Sequence, residues 1–268
     1  VAINQWEQAE DSMYTLCGKD RIHPSTDGHL VMAYLFLKAQ GLAGKPVADI
    51  RIDGAGKKVT RSDNCRVSDL SVSSDNLTFT YEAKSLPYPI DTSYYDNEKH
   101  TQADALSVIP FMDEMNYEGL SVSGLSDGYY GLTIGGEFIG RFTARELERG
   151  INMALLQNTP QYKQAKIRQM NEERWLKERK MREFYWVEYN LMRKTGMLWA
   201  CNEAAVDTLR KYRPHDIFLQ WNGDLWLQYM HKGIREDCVN EQQDLVNQIY
   251  EQNKPIPLRI EIKKFTDL

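Results

Sequence analysis

Nine of the ten residues from Leu30 to Ala39 (LVMAYLFLKA) are apolar, and only Lys38 interrupts them. A helix built from this stretch is greasy on nearly every face, so it needs burial inside a layered domain rather than a place on a surface. Ser25 or Thr26 can cap its start and Gly41 can end it. The residues ahead of Lys45 are too few to build layers around it. The sequence therefore predicts that its partners come from later in the chain or from a segment upstream of Val1. The opening residues, VAINQWEQAEDSMYT, carry no targeting signal and no initiator Met, and the chain is read as starting in mid-protein. Leu30 to Leu37, the richest apolar run, falls well short of the roughly 20 residues that span a bilayer, so no membrane span is expected.

At 268 residues with 42% hydrophobic content, the chain is long enough for two domains with sizeable cores. A net charge of -5 offers no basic face for a phosphate backbone, which excludes nucleic acid as an expected partner. Cys17, Cys65, Cys201 and Cys238 are widely spaced, with no Cys/His grouping at zinc spacing, so no structural metal is expected. Their even number permits two disulfides in an oxidising compartment and fits four buried thiols equally well.

The fold class read from the pattern is α+β, in three zones. Residues 1–44 hold the polar lead-in and the apolar helix. Residues 45–142 are written in short alternating or β-branched segments such as VADIRID, LTFTYEA and YYGLTIGG, divided by DGAG, SDN and GG turns. They predict a small β-sandwich of mostly antiparallel strands, with a long excursion through Pro87, Pro89 and Pro110 that holds no central strand. Residues 143–268 begin with Thr143 and Glu146 in capping-box spacing. A capped, proline-started helix is predicted from about Pro160 to Lys194, with Phe184, Val187 and Leu191 on one face. Leu258, Ile260 and Ile262 alternate as a terminal strand.

Two stretches carry chemistry. Gly124 to Gly128, GLSDG, matches the nucleophile elbow literally, but that motif works only where a strand feeds a turn that opens a helix. YYGLTIGGEF follows instead, so Ser126 is read as part of a glycine-rich hairpin loop. Asp20 and His23 are one turn apart, which lets the carboxylate accept from imidazole Nδ1–H and leave Nε2 free as a base. Pro24 keeps His23 out of the α region, on a loop just before the apolar helix. The bland alternative makes Asp20 and His23 ordinary surface loop residues, with His29 in the helix's first turn.

The block DRIHPSTDGHLVMAYLFLKAQG, Asp20 to Gly41, closely resembles the last conserved block of the SGNH (GDSL-type) esterases. Gly124 to Gln161 and QIYEQNKPIPLRIEI near the end are similar to a C-terminal extension found in a bacterial subgroup of them. The resemblance implies that residues 1–44 end a flavodoxin-like α/β/α hydrolase domain, that 45–142 are a β accessory domain, and that 143–268 are helical with a strand packing back on the hydrolase domain. It implies His23 as general base and then acid, Asp20 as its orienting carboxylate, and no cofactor or metal. The family's G-D-S serine and its oxyanion Gly and Asn have no acceptable counterpart before Asp20. The nucleophile is therefore expected from an upstream N-terminal part of the same protein. The implied substrate is an acyl ester, with an acetylated carbohydrate as the specific expectation, in a periplasmic or secreted protein; Tyr94, Tyr95, Trp221 and Trp226 are read either as platforms for sugar rings or as ordinary core packing. A non-catalytic module that binds carbohydrate or a partner is the competing expectation.

Overall fold

The alternation of apolar residues between positions 48 and 143 resolves into strands of two sheets in a computed structural model that describes residues 5, 7–9, 13–18, 20–93 and 100–265. In chain order the strands are β1 (Ala48–Asp53), β2 (Lys58–Asp63), β3 (Cys65–Val72), β4 (Asn76–Ala83), β5 (Glu118–Ser123), β6 (Tyr129–Ile134), β7 (Glu137–Thr143), β8 (Ile151–Asn152) and β9 (Leu258–Lys264). One sheet has the order β2-β1-β5-β8 and the other β3-β4-β9-β6-β7. Pairing is antiparallel throughout except between β1 and β5, where Ile50 lies beside Leu120 and Ile52 beside Val122. The helices are α1 (Thr26–Ala39), α2 (Phe111–Glu114), α3 (Ala144–Arg149), α4 (Pro160–Ala165), α5 (Ile167–Val187), α6 (Glu203–Tyr212), α7 (Ile217–Tyr229) and α8 (Lys232–Gln252).

Contacts divide the α+β chain into two units, Val1–Lys166 with Lys254–Leu268, and Ile167–Asn253. In the first unit every second residue of β4 points inward, and Leu77, Phe79 and Tyr81 pair with Ile262, Ile260 and Leu258 of β9. The inner faces of both sheets share one core that includes Ile50, Ile52, Leu120, Val122, Leu132 and Ile134. The predicted alternation of Leu258, Ile260 and Ile262 is present, and β9 lies in the middle of its sheet, between β4 and β6. The excursion contains no strand among its described residues. It forms a 3-10 turn, Gln102–Ser107, and α2, and buries Ala105, Ile109 and Phe111 against Leu30, Val31 and Tyr34 of α1.

The predicted capping box is formed at α3, where Thr143 Oγ1 accepts from Glu146 N–H at 3.2 Å and Glu146 Oε2 accepts from Thr143 N–H at 2.7 Å. Thr159 caps α4, with Pro160 at its first position. The single long helix expected from Pro160 to Lys194 is divided: α4 stops at Ala165, α5 runs from Ile167, and a π-helical turn, Glu188–Met192, follows it.

The second unit is helical. Its core holds Phe184, Val187, Leu191, Leu209, Leu219 and Trp226. Trp226, for which a sugar platform and core packing were the two readings, is a core residue, and its indole N–H donates at 2.9 Å to Oε1 of the buried Glu188 in the π turn. The mixed-charge half of α5 is a solvated face carrying ion pairs four residues apart, such as Arg174–Glu178 and Arg179–Glu183.

Glu118, at the start of β5, is a carboxyl with no exposure at all. Its Oε1 accepts from Tyr81 Oη at 2.8 Å and from Gln161 Nε2 at 3.2 Å, whereas Oε2 has no partner among the described residues. Burial pushes its pKa up from 4.5 to about 7, against the opposing pull of those two donors. The folded chain thus holds a proton that the unfolded chain has already released, so this contribution is complete below the unfolded pKa of 4.5 and is lost as pH rises through about 7. Urea unfolding of the wild-type chain is expected to show lower stability at about pH 8 than at about pH 5 from this group, on the order of 3 kcal/mol for a shift of this size. Glu118→Gln removes the titration, so an unchanged pH dependence in that variant would contradict the assignment.

Candidate functional site

Asp20 and His23 lie on one tight loop whose shape is set by its own backbone. Gly18 N–H donates to the His23 carbonyl at 2.7 Å, and Cys17 and Pro24 form an isolated antiparallel bridge below it. Arg21 takes a left-handed φ of 57°, which turns the chain at the tip. Asp20 Oδ1 accepts from the backbone N–H groups of Ile22, at 2.9 Å, and His23, at 3.0 Å. This Asx-type turn aims the other oxygen, Oδ2, at His23 Nδ1, 2.6 Å away. The hydrogen bond predicted from the D-x-x-H spacing is therefore present.

The His23 bond, followed by the two backbone N–H bonds, holds the Asp20 carboxyl down to about 2. Asp20 stays ionised at any ordinary pH and keeps the imidazole proton on Nδ1. Nε2 then carries the free lone pair and has no hydrogen-bond partner among the described residues. The imidazole points into open space, its side chain 82% exposed, and is not consumed by the β-sheets.

What holds the loop is a seam with the helix that follows. Ser25 is buried, its N–H donating to the Leu16 carbonyl at 3.1 Å and its hydroxyl to the same oxygen at 3.2 Å and to Asp27. The expectation that Ser25 caps α1 with its side chain is corrected on this point: it is the N-cap residue, but its hydroxyl makes no cap bond. His29 donates from Nδ1 to the Ser25 carbonyl at 2.9 Å. Asp27 is also buried, with His100 Nδ1 3.9 Å from its Oδ2. The sequence reading missed Asp27 and His100, since the excursion that carries His100 shows no periodicity to link it to the D-x-x-H block.

Helix α1 departs from the expectation of burial on all faces. Leu30, Val31 and Tyr34 are covered, and Tyr34 Oη and Lys38 Nζ reach Glu114 at 2.7 and 2.8 Å. On the other side Met32, Leu35 and Phe36 are 57, 46 and 64% exposed. Among the described residues, the 3-10 turn and α2, with Leu16, Tyr88 and Ile90 beside them, pack against the face that carries Leu30, Val31 and Tyr34.

Ser126 lies in a loop joining β5 to β6, strands of different sheets, so the segment is a crossing and not the hairpin the sequence suggested. A strand follows it, as expected, and no helix N-terminus is present to aim N–H groups at an oxyanion. Lys264 Nζ donates to Ser126 Oγ at 2.8 Å, and Tyr130 Oη donates to the Ser126 carbonyl at 2.9 Å, which locks the loop over β6. All four cysteines are free thiols. Of the aromatic residues suggested as sugar platforms, Trp221 is 67% exposed, Trp226 is core, and Tyr94 and Tyr95 lie outside the described residues. Among the described residues no group of three or more His, Cys, Asp or Glu could hold a metal ion, and no helix is long and apolar enough to cross a membrane.

Residues 165–254 match the family described as the diltiazem deacetylase C-terminal helical domain, and these bounds follow those of the helical unit closely. The chain is also similar to the solved structure of a gut microbial diltiazem-metabolizing enzyme, at 42% identity and a TM-score of 0.90. That likeness covers 99% of this chain and 60% of the solved one, so the chain spans less than two thirds of its relative's length. No curated protein matches.

The seam makes Gly28 the most sensitive position near the pair. A Cβ there would stand 2.0 Å from the Leu16 carbonyl oxygen, a backbone atom that cannot turn aside. Gly28→Ala is expected to lower stability by about 1–3 kcal/mol in a thermal or urea melt. It is also expected to shift the His23 imidazole resonances, because the loop must move to admit the methyl group.

Proposed function

We propose that this chain is part of an ester-hydrolysing enzyme in which His23 and Asp20 are two members of a Ser-His-Asp triad of the SGNH type. The observation that carries the reading is the oriented pair itself: Asp20 Oδ2 at 2.6 Å from His23 Nδ1, with Nε2 directed outward on an exposed loop. Similarity to a diltiazem-metabolizing enzyme, and to a domain family named for a diltiazem deacetylase, supports the hydrolase class. The uncovered face of α1 supports the further reading that this helix closes an α/β/α layer whose other elements, with the nucleophile, belong to polypeptide outside these residues.

In this mechanism Nε2 takes the proton of a serine hydroxyl as the oxygen attacks the ester carbonyl. It then returns that proton to the departing alcohol. Water deacylates the serine by the same relay in reverse. Asp20 fixes the imidazole tautomer and balances the imidazolium charge, and no metal or cofactor is called for. The acyl group is proposed as acetyl. A carbohydrate as the alcohol portion rests on Trp221 as the remaining exposed candidate, so diltiazem and an O-acetylated sugar are the two probes to compare, in a protein proposed to act in the periplasm or outside the cell. The second reading, a non-catalytic binding module, gains no support from a pair whose base is oriented and left free.

The test is turnover of p-nitrophenyl acetate by the full-length protein. His23→Ala and Asp20→Asn are each expected to lower kcat by about 10³- to 10⁴-fold with folding intact, as loss of the base or of its tautomer does in such triads. Because Asp20 stays charged down to about pH 2, an acid limb at higher pH does not report its titration. Ser126→Ala is expected to leave turnover unchanged. Loss of activity in that variant, with His23→Ala active, would transfer the nucleophile to the Lys264–Ser126 cluster and overturn the proposal.

A further inference from the structure

The helical unit holds a second pair of reactive groups that the hydrolase reading does not use. Cys201 Sγ lies 3.2 Å from His231 Nδ1, within hydrogen-bond reach of an imidazole that can take its proton. Both residues are exposed, whereas Cys65 and Cys238 are buried and Cys17 is half-buried.

The backbone on each side is fixed by hydrogen bonds. The π turn after α5 places the buried Glu188 so that its Oε2 accepts from Trp199 N–H at 2.9 Å, while Oε1 holds Trp226. π turns of this kind are frequent at functional sites. Trp199 is held at a φ of 62°, in the left-handed region that a bulky residue rarely adopts. Three residues later, Asn202 caps α6 by accepting from Ala205 N–H at 3.0 Å. Cys201 is thus fastened from both sides. His231 occupies the N-cap position of α8, but its side chain makes no cap bond there. The turn that carries it is tied by Arg235 Nη1, which donates to the carbonyls of Tyr229 and Met230 at 2.7 Å each. Trp199, two residues before Cys201, and Lys232, next to His231, line an open cleft of about 700 Å³ together with Tyr185 and Arg235.

We propose that Cys201 and His231 form a nucleophilic thiol–imidazole pair, a covalent modification site that exchanges with small-molecule disulfides. In the step, Nδ1 takes the Sγ proton and the sulfur attacks one sulfur of the disulfide RS–SR. The S–S bond breaks, Cys201–S–SR forms, and the departing RS⁻ takes the proton back from the imidazolium to leave as RSH. The Cys201 sulfur is oxidised and the leaving sulfur reduced, so the small disulfide is the oxidant and no other reactant is needed. The cleft beside the pair gives the R group room to lie against Trp199 and Tyr185.

A free thiol is only a few per cent thiolate at neutral pH, so a base in contact raises the reactive fraction. An imidazole 3.2 Å from the sulfur can accept the proton as the sulfur attacks, and this assistance is expected to speed the exchange about fivefold. The experiment follows the reaction of the chain with 5,5′-dithiobis(2-nitrobenzoate), an aromatic disulfide that releases a coloured thiolate, and maps the adduct by mass spectrometry. One fast thiol is expected in the wild type, located at Cys201 and absent in Cys201→Ser. His231→Gln is expected to slow it about fivefold while its circular dichroism and melting stay unchanged. An equal Cys201 rate in the wild type and in His231→Gln overturns the proposal, as does survival of the fast thiol in Cys201→Ser. Should His231→Gln fail to fold, the wild-type rate at Cys201 is compared in native and urea-unfolded protein, and a native rate no faster than the unfolded one is equally fatal.

Discussion

The five-stranded sheet is incomplete until its middle strand, β9, is supplied from Leu258–Lys264, far along the chain from its neighbours β4 (Asn76–Ala83) and β6 (Tyr129–Ile134). Without β9, the β3–β4 and β6–β7 pairs have no backbone link to one another, and Leu77, Phe79, Leu132 and Ile134 lose the facing Ile260 and Ile262. Even a single side-chain contact in this seam, Asn76 Nδ2 to Glu261 Oε1 at 3.0 Å, spans 185 residues of sequence. The core of the first unit is therefore a long-range structure, and closing so long a loop precedes any stabilisation from the pairing. The helical unit, whose contacts lie within 87 contiguous residues by its bounds, Ile167–Asn253, has no such dependence.

The candidate site rests on a smaller constraint of the same kind. Asp20 and His23 are presented by a loop too short to have a core of its own, so their geometry is inherited from the Leu16 carbonyl, from Ser25 and from the close approach of Gly28. The oriented pair is exposed and the parts that orient it are buried. That division suits a base that must reach a substrate without losing its alignment.

How much of this was legible beforehand follows from the range of each interaction. The Asp20–His23 bond is local, three residues apart, so the D-x-x-H-P spacing offers it beside the reading of ordinary loop residues, and the resemblance of the longer block from Asp20 to Gly41 decides between the two. The capping box at Thr143 and the alternation of Leu258, Ile260 and Ile262 are equally local and equally readable. The neighbours of β9 were not, because alternation identifies a strand but not its partners. Trp226 illustrates the same limit: its burial depends on Glu188, 38 residues away and in a π turn that no sequence pattern announced. Helix α1 shows the opposite case. Its composition calls for cover on every face, and the described residues supply that cover on one.

The chain leaves the first unit after Lys166 and re-enters it at Lys254, and these two points are neighbours: Gln164 Nε2 donates to the Lys254 carbonyl at 2.6 Å. Exit and return through one narrow doorway is the geometry of a cassette. A segment with adjacent ends can be acquired, lost or exchanged between genes without breaking the sheet that hosts it, since the host needs only the two ends held together. The helical unit can thus have its own evolutionary history, whereas β9, lying beyond the doorway, must travel with β4 and β6.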